Sequence, residues 1–354
     1  MIKSLKVLVL LFILSAEIGF AQTGGQGVYK FLNLSTSARV SALGGNVVSV
    51  YDDDLNMSFY NPSLLNEQSD GTVILNYVNY FAGLNYGYAA YSFHTNKFGS
   101  FSAGIHYLNY GEFIAADENG TITGTFGASD YALNLIWAKP VYKNVNVGVN
   151  LKPVYSHLEK YSSLGLVSDI GLSYTKTESN FSMALVLRNL GFQLTPYYNE
   201  NREGVEPDLT AGISQKLAHA PFRLSLTLHH LTRWDLSYEE ESQSLSIYDE
   251  PVDDQGFDVQ KHLDDALRHV NVGIEFLPMK NFYIAVGYNY LRRAEMGIKD
   301  YAGFTGLSWG FGLKLKRMGI SYGRASYHVS GGSNHFSVYY RVKNAGNEQK
   351  QLPD

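Results

Sequence analysis

Residues 71–110 read GTVILNYVNYFAGLNYGYAAYSFHTNKFGSFSAGIHYLNY, and their pattern decides the fold. Phe101, Ala103, Ile105 and Tyr107 alternate with Ser100, Ser102, Gly104 and His106, giving a strand with one greasy face and one small, polar face. The rule recurs along the chain. Val145, Val147, Val149 and Leu151 alternate with Asn144, Asn146, Gly148 and Asn150, and Phe222, Leu224, Leu226 and Leu228 with Arg223, Ser225, Thr227 and His229. A train of strands written this way needs a different solvent for each face.

Composition points to one large β unit. The 354 residues include 27 Tyr and 34 Gly, with only 17% charged. After residue 21 no apolar run is long enough for a membrane-spanning helix, so any membrane crossing is by strands. Lys3 and Lys6 precede the apolar run Val7 to Leu14, and Gly19-Phe20-Ala21 offers small residues before a cleavage point at Gln22. Residues 1–21 therefore read as a secretory signal rather than a membrane anchor, since Glu17 interrupts a run already too short to span. Their removal takes off two Lys and one Glu, moving the formal charge from -5 to -6, which gives no case for nucleic acid. With no cysteine, disulfides, thiolate metal sites and a lipidated N-terminal cysteine are excluded.

From residue 71 fourteen strand centres follow, near Leu75, Tyr88, Ala103, Leu133, Val149, Ile170, Leu185, Ile213, Leu226, Val272, Ile284, Phe311, Tyr322 and Val338. The number is even, as bacterial single-chain barrels require. Six connections are short and carry turn chemistry, at 96–97, 142–144, 178–180, 219–221, 278–281 and 317–319. Between them lie the connections 81–84, 111–120, 156–164, 191–207, 232–268, 293–303 and 328–334, all but the first of them long. This alternation predicts an all-β, transmembrane antiparallel barrel of the outer membrane over 71–343, with tight periplasmic turns, long surface loops, both termini in the periplasm and a periplasmic tail at 344–354. A soluble sandwich would share the alternation, but has shorter strands and no reason to keep one set of connections short.

The two faces agree. Leu133, Leu135 and Trp137, and Leu307, Trp309, Phe311 and Leu313, are predicted to face lipid, while Arg188, Lys216, Glu275, Lys314 and Arg341 face the lumen, where charge can pair or hydrate. Over 84–95 the aromatics change phase, from Leu84, Tyr86 and Tyr88 to Tyr91 and Phe93, which predicts a bulge or an aromatic-filled lumen. Residues 22–70 follow no single period and read as a segment packed inside the barrel, with a periplasmic extension as the alternative. FLNLSTSARVSALGG (31–45) suggests a short helix ending at Gly44-Gly45, and NMSFYNPSLL (56–65) breaks at Asn61-Pro62.

Within 24–65, the runs Val28-Tyr29-Lys30-Phe31-Leu32, Ser37-Ala38-Arg39-Val40, Ala42-Leu43-Gly44-Gly45 and Tyr60-Asn61-Pro62-Ser63 carry a resemblance to a known family. The chain resembles the PorV/PorQ family, outer-membrane components of the type IX secretion system of Bacteroidetes, and the opening VYKFLNL resembles its PorQ branch. That resemblance implies a FadL-like barrel of fourteen strands with its N-terminal segment in the lumen, the plug motif falling on Phe31, Arg39, Leu43, Gly44, Gly45, Asn61 and Pro62. It further implies a surface attachment complex with PorU, PorV and PorZ, in which the barrel anchors PorZ directly while cargo is processed and joined to anionic lipopolysaccharide. One departure is the tail from Ala345 to Asp354 after the last strand, where many outer-membrane barrels end on an aromatic residue. The competing function for such a barrel is uptake of hydrophobic small molecules.

Four groups of residues could pass for chemistry. Gly306-Leu307-Ser308-Trp309-Gly310 matches G-x-S-x-G, but lies inside an alternating strand rather than at a strand-to-helix elbow. His262, Asp264, Asp265 and His269 lack the spacing that brings two imidazoles to one zinc and read as a solvated helical turn. Asp52-Asp53-Asp54 lacks the alternate spacing of a calcium loop and reads as a polar turn or as partners for Arg39. The loop from Glu239 to Asp265 sets ten carboxylates against one Lys, and its Glu239, Glu240, Glu241, Tyr248, Asp249, Asp253, Asp254 and Phe257 form a candidate docking surface for a basic partner. No cofactor, metal or catalytic residue is expected.

Overall fold

The computed structural model describes residues 27–198, 202–236, 259–297, 303–328 and 331–342. The signal segment, the tail and the acidic candidates between 239 and 257 lie outside the described residues.

Fourteen antiparallel strands close into one barrel. They are β1 (Thr72–Asn79), β2 (Asn85–Thr95), β3 (Gly99–Ala116), β4 (Ile122–Tyr142), β5 (Val145–Leu158), β6 (Tyr161–Lys176), β7 (Phe181–Thr195), β8 (Asp208–Lys216), β9 (Phe222–Leu228), β10 (Val270–Met279), β11 (Phe282–Asn289), β12 (Leu307–Lys314), β13 (Met318–His328) and β14 (Gly331–Arg341). Each strand pairs with its sequence neighbours, and β1 closes on β14 from Thr72↔Arg341 to Asn79↔Asn334. Closure leaves no open edge around the wall, so its backbone groups are satisfied without water. Every one of the fourteen centres read from the sequence falls inside its own strand.

Burial follows the period of two. Leu133, Leu135, Trp309 and Phe311 stand exposed on the outer surface, while Glu275 and Arg188 are buried on the inner one. The phase change in β2 is an aromatic-filled lumen and not a bulge. The β2–β3 register runs unbroken from Asn85↔Asn109 to Thr95↔Gly99, with Tyr86 and Tyr88 buried inside and Tyr91 and Phe93 outside.

The connections differ from expectation at one rim. All six tight turns occur where expected, and Asn144 and Asn180 supply left-handed backbone (φ 67° and 51°) that asparagine tolerates. At the opposite rim three connections expected to be long shrink, the one at 328–334 to the two positions between His328 and Gly331. β3 runs on to Ala116 and β4 starts at Ile122, while β5 and β6 are joined by Glu159 and Lys160 alone. Polar residues there continue the ladder instead of leaving it, because strand pairing needs backbone partners more than an apolar face. The wall is therefore tall on the side of β3 to β7 and short on the side of β8 to β12, where β9 has only seven residues. On that short side helices α3 (Val259–Arg268) and α4 (Tyr290–Met296) take over, and Asn289 caps α4 by accepting from the Arg292 amide. Nothing in the period marks α4, which starts directly where β11 stops.

Residues 28–66 thread the lumen, apart from a few partly exposed positions, with helices α1 (Ala38–Ala42) and α2 (Met57–Tyr60). The even strand count does place Thr72 and Arg341 at the same rim. The first described residues, however, sit at the other one: the Val28 amide donates to the Gly204 carbonyl, in the β7–β8 connection. The segment from Val28 to Asn66 thus traverses the barrel before β1.

Candidate functional site

Among the described residues, buried polar and charged side chains converge in the lumen, so the candidate site is the plug and the wall it touches. Local chemistry shapes the plug first. Ser37 caps α1 by accepting from the Val40 amide at 3.4 Å, and Gly44 and Gly45 leave the helix with φ of 100° and 92°, a region costly for other residues. Pro62 forbids helix at the preceding residue, so Asn61 is extended. Its side chain then accepts from the Ser63 amide (3.0 Å) and donates to the Val48 carbonyl (2.8 Å), stitching two plug turns together. The buried Tyr60 hydroxyl accepts from the amides of Thr36 (2.9 Å) and Ser37 (3.1 Å).

The plug backbone presses on wall positions that have no side chain. A Cβ at Gly148 would lie 2.3 Å from the Pro62 carbonyl carbon, at Gly171 2.2 Å from Asn61 Oδ1, at Gly287 2.1 Å from the Leu43 carbonyl carbon and at Gly323 2.2 Å from the Ala38 oxygen. On the remaining arc Asn76 donates to Asn56 (2.6 Å), Tyr88 packs against Phe59, and Phe31 lies 5.2 Å from the His106 ring. Contacts thus run round the whole wall, from β1 to β13.

Charge fixes the plug near the tight-turn rim. Arg39 Nε donates to Glu275 at 2.7 Å, and its terminal nitrogens reach Asp52 (2.8 Å) and Asp54 (3.1 Å). Arg223 bridges Asp52 (3.0 Å) and Glu275 (2.9 Å). Lys314 and Arg341 hold Asp53 at 2.5 and 2.6 Å. Four cations meet four carboxylates, three of them from the Asp triplet, and the Tyr283 ring lies 5.3 Å from the Arg39 guanidinium. Burial by itself would raise the Asp52 carboxyl; Arg39 and Arg223 outweigh it and hold that group well below the usual carboxylate range. Asp53 is lowered in the same way, burial being opposed chiefly by Lys314.

All seven plug-motif residues lie in the lumen, but they do not form one cluster. Arg39 sits in the ionic group. Leu43 packs on Gly273 and Gly287, and the Gly44 carbonyl accepts from Arg292 (3.1 Å) and Asn289 (3.3 Å). Gly45 leaves room for the Arg292 guanidinium, Phe31 belongs to an apolar group with Leu32, Tyr86 and Leu108, and Asn61 and Pro62 press on β5 and β6. Higher up, Lys152 pairs with Asp169 (2.7 Å) and donates to Asn189 (2.9 Å), which in turn donates to Asn33 (2.8 Å). Inward parity alone flags Lys152 and Arg223, though not what they bind.

The chemistry-like motifs do not assemble. Ser308, the second residue of β12, is buried on the inner face with no hydrogen-bond partner for its hydroxyl and lies in a strand rather than at a strand-to-helix elbow. Asp264 accepts from Arg268 and Tyr290, whereas His269 faces the carbonyls of His229 and Trp234. Among the described residues no three His, Cys, Asp or Glu side chains are placed to hold a metal ion. Asp52, Asp53 and Asp54 are spent on cations of this chain.

A closed fourteen-stranded wall, apolar outside and plugged inside, defines an outer-membrane-type β-barrel. Among solved structures it is similar to the toluene transporter TbuX of Ralstonia pickettii, with a TM-score of 0.53 and 13% identity over 88% of this chain and 100% of that one. It is also similar to the P. putida toluene transporter TodX (TM-score 0.47, 10% identity, 87% and 97% covered) and to a Pseudomonas aeruginosa FadL homologue (0.46, 10%, 90% and 100%). At such identity the likeness concerns the fold. No protein-family model and no curated protein sequence matches the chain.

Proposed function

We propose that this barrel is a non-catalytic membrane anchor that holds a soluble partner at the cell surface, in the manner of the PorQ branch its N-terminal segment resembles. The partner is then PorZ, in an attachment complex with PorU and PorV that serves cargo joined to anionic lipopolysaccharide. The observation that carries this reading is the filled lumen: plug backbone lies against inward glycines of β5, β6, β11 and β13, and the ionic cluster ties it down. A barrel whose interior is spent on holding its own N-terminal segment offers its outer wall and rims to other molecules.

The second reading is uptake of hydrophobic molecules, favoured by the fold shared with TbuX, whose described cargo is toluene. Against it stands the polarity of the inner wall, where Asn134, Asn150, Lys152, Asp169, Arg188 and Gln193 are all buried. One hollow between plug and wall, beside Leu55, Tyr283 and Tyr339, holds about 20 Å³, and the larger space of about 720 Å³ lies open at the rim beside Asn109, Glu112 and His157. An aromatic hydrocarbon needs on the order of 150 Å³. The discriminating experiment is affinity purification of the barrel from detergent-solubilised outer membrane. Stoichiometric PorZ supports anchoring; an apolar small molecule in the purified barrel, without PorZ, supports uptake.

A further inference from the structure

The tallest part of the wall outruns its neighbours. β2 stays beside β3 only as far as Asn85↔Asn109, and β5 stays beside β4 only to Leu158↔Ala128. The β3–β4 ladder continues through Glu112↔Gly127, Phe113↔Phe126, Ile114↔Thr125, Ala115↔Gly124 and Ala116↔Ile122. Seven residues of β3 beyond Asn109 make a ribbon standing roughly 20 Å above the wall beside it. Crossing a bilayer takes about 9–11 residues, so this ribbon serves something other than lipid.

Its surface is dressed for contact. Ile114 and Ile122 are 69% and 68% exposed, and Phe113, stacked on Phe126 at 5.3 Å, adds an apolar patch on the other face. Among the described residues no strand pairs with the β3 edge from Glu112 to Ala116. Exposed edges are ordinarily blunted by lysine, proline, inward charge or bulges, and of these the ribbon has bulges in its pairing with β4, between Asn109 and Glu112 and between Ala115 and Ala116. Here the chain has no Lys or Arg between Lys97 and Lys139, while Glu112, Asp117 and Glu118 make the projection acidic.

Resting on the anchoring role proposed above, we infer that the projecting β3 edge is the docking site for a basic, apolar-flanked β-strand of the soluble partner. Strand addition satisfies the free backbone groups, Ile114 and Ile122 supply the apolar contacts, and the carboxylates select a cationic strand. A second copy of this chain fits poorly, because acidic residues would face acidic residues. An anionic lipid surface is repelled for the same reason.

The test uses full-length barrel in outer membranes with PorZ present. A photo-crosslinking residue at Ile114 should capture PorZ, and the I114K/I122K variant should retain at least tenfold less PorZ while still migrating as a folded barrel. Y142K, at the opposite rim, should retain wild-type amounts. If wild-type barrel retains PorZ and I114K/I122K retains it equally, the docking edge is wrong and anchoring stands. If wild-type barrel retains no PorZ, both fall. Crosslinks from position 114 only to lipid or to a second barrel overturn the docking edge.

Discussion

The plug is held by different physics at its two ends. At the tight-turn rim Arg39, with only 5% of its side chain exposed, holds three carboxylates, two of them shared with Arg223, and lies beside the Tyr283 ring. At the opposite rim Lys30 and Glu206 form a single pair whose side chains are 47% and 46% exposed. Removing one partner from a buried network strands charges out of water, which costs about 3–5 kcal/mol, whereas an exposed pair contributes about 0–1 kcal/mol. The difference makes the first half-turns of the plug replaceable and the Asp52 region a fixed latch.

The largest expected effect is therefore R39A. It leaves Asp52, Asp54 and Glu275 short of a partner and should loosen the plug by about 3–5 kcal/mol while the barrel wall stays closed. Because the chain has no cysteine, a single S49C reports this directly. Ser49 is buried, so a maleimide should miss it in the otherwise wild-type barrel and reach it in R39A. Equal labelling in both would break the contrast. Next comes G287V, which forces a side chain into the Leu43 backbone and should cost about 1–3 kcal/mol by overpacking. The change V286A on the lipid face of the same strand should leave S49C protected. Smallest is K30A, expected within about 1 kcal/mol of wild type and without effect on S49C labelling.

Acid sharpens the same comparison. Asp52 and Asp53 have folded values below the ordinary Asp value of about 3.9, so their contribution is fully present above that value and is lost as pH falls through the lowered ones. With dithiodipyridine in place of the maleimide, because a maleimide needs the thiolate and stops reacting in acid, labelling of S49C should be flat between pH 8 and 5 and rise only in stronger acid. Loosening between pH 7 and 5 would move the latch from these carboxylates to histidines.

The wall was legible because one physical rule, lipid outside and polar lumen inside, writes itself into every second residue. Strand centres and tight turns follow from it. The ends of strands did not, since beyond the bilayer the rule lapses: Phe113 and Ile114 are adjacent and both exposed, so nothing in their order says strand or loop. The plug has no period at all. Its breaks at Gly44-Gly45 and Asn61-Pro62 were readable from backbone chemistry, and Arg39 with the Asp triplet suggested a pair. That Glu275 and Arg223 complete the cluster depends on β9 and β10 lying side by side, with Glu275 opposite Arg223. That Val28 lies at the long-loop rim is invisible to a count of strands.

The central claim is that the lumen is filled and stays filled. Planar-bilayer recording of the purified full-length barrel tests it most directly. The wild-type protein should pass no stepwise ionic current, and deletion of residues 27–66 should open steady channels of porin size. Steady open-channel current from the wild-type barrel would contradict the account.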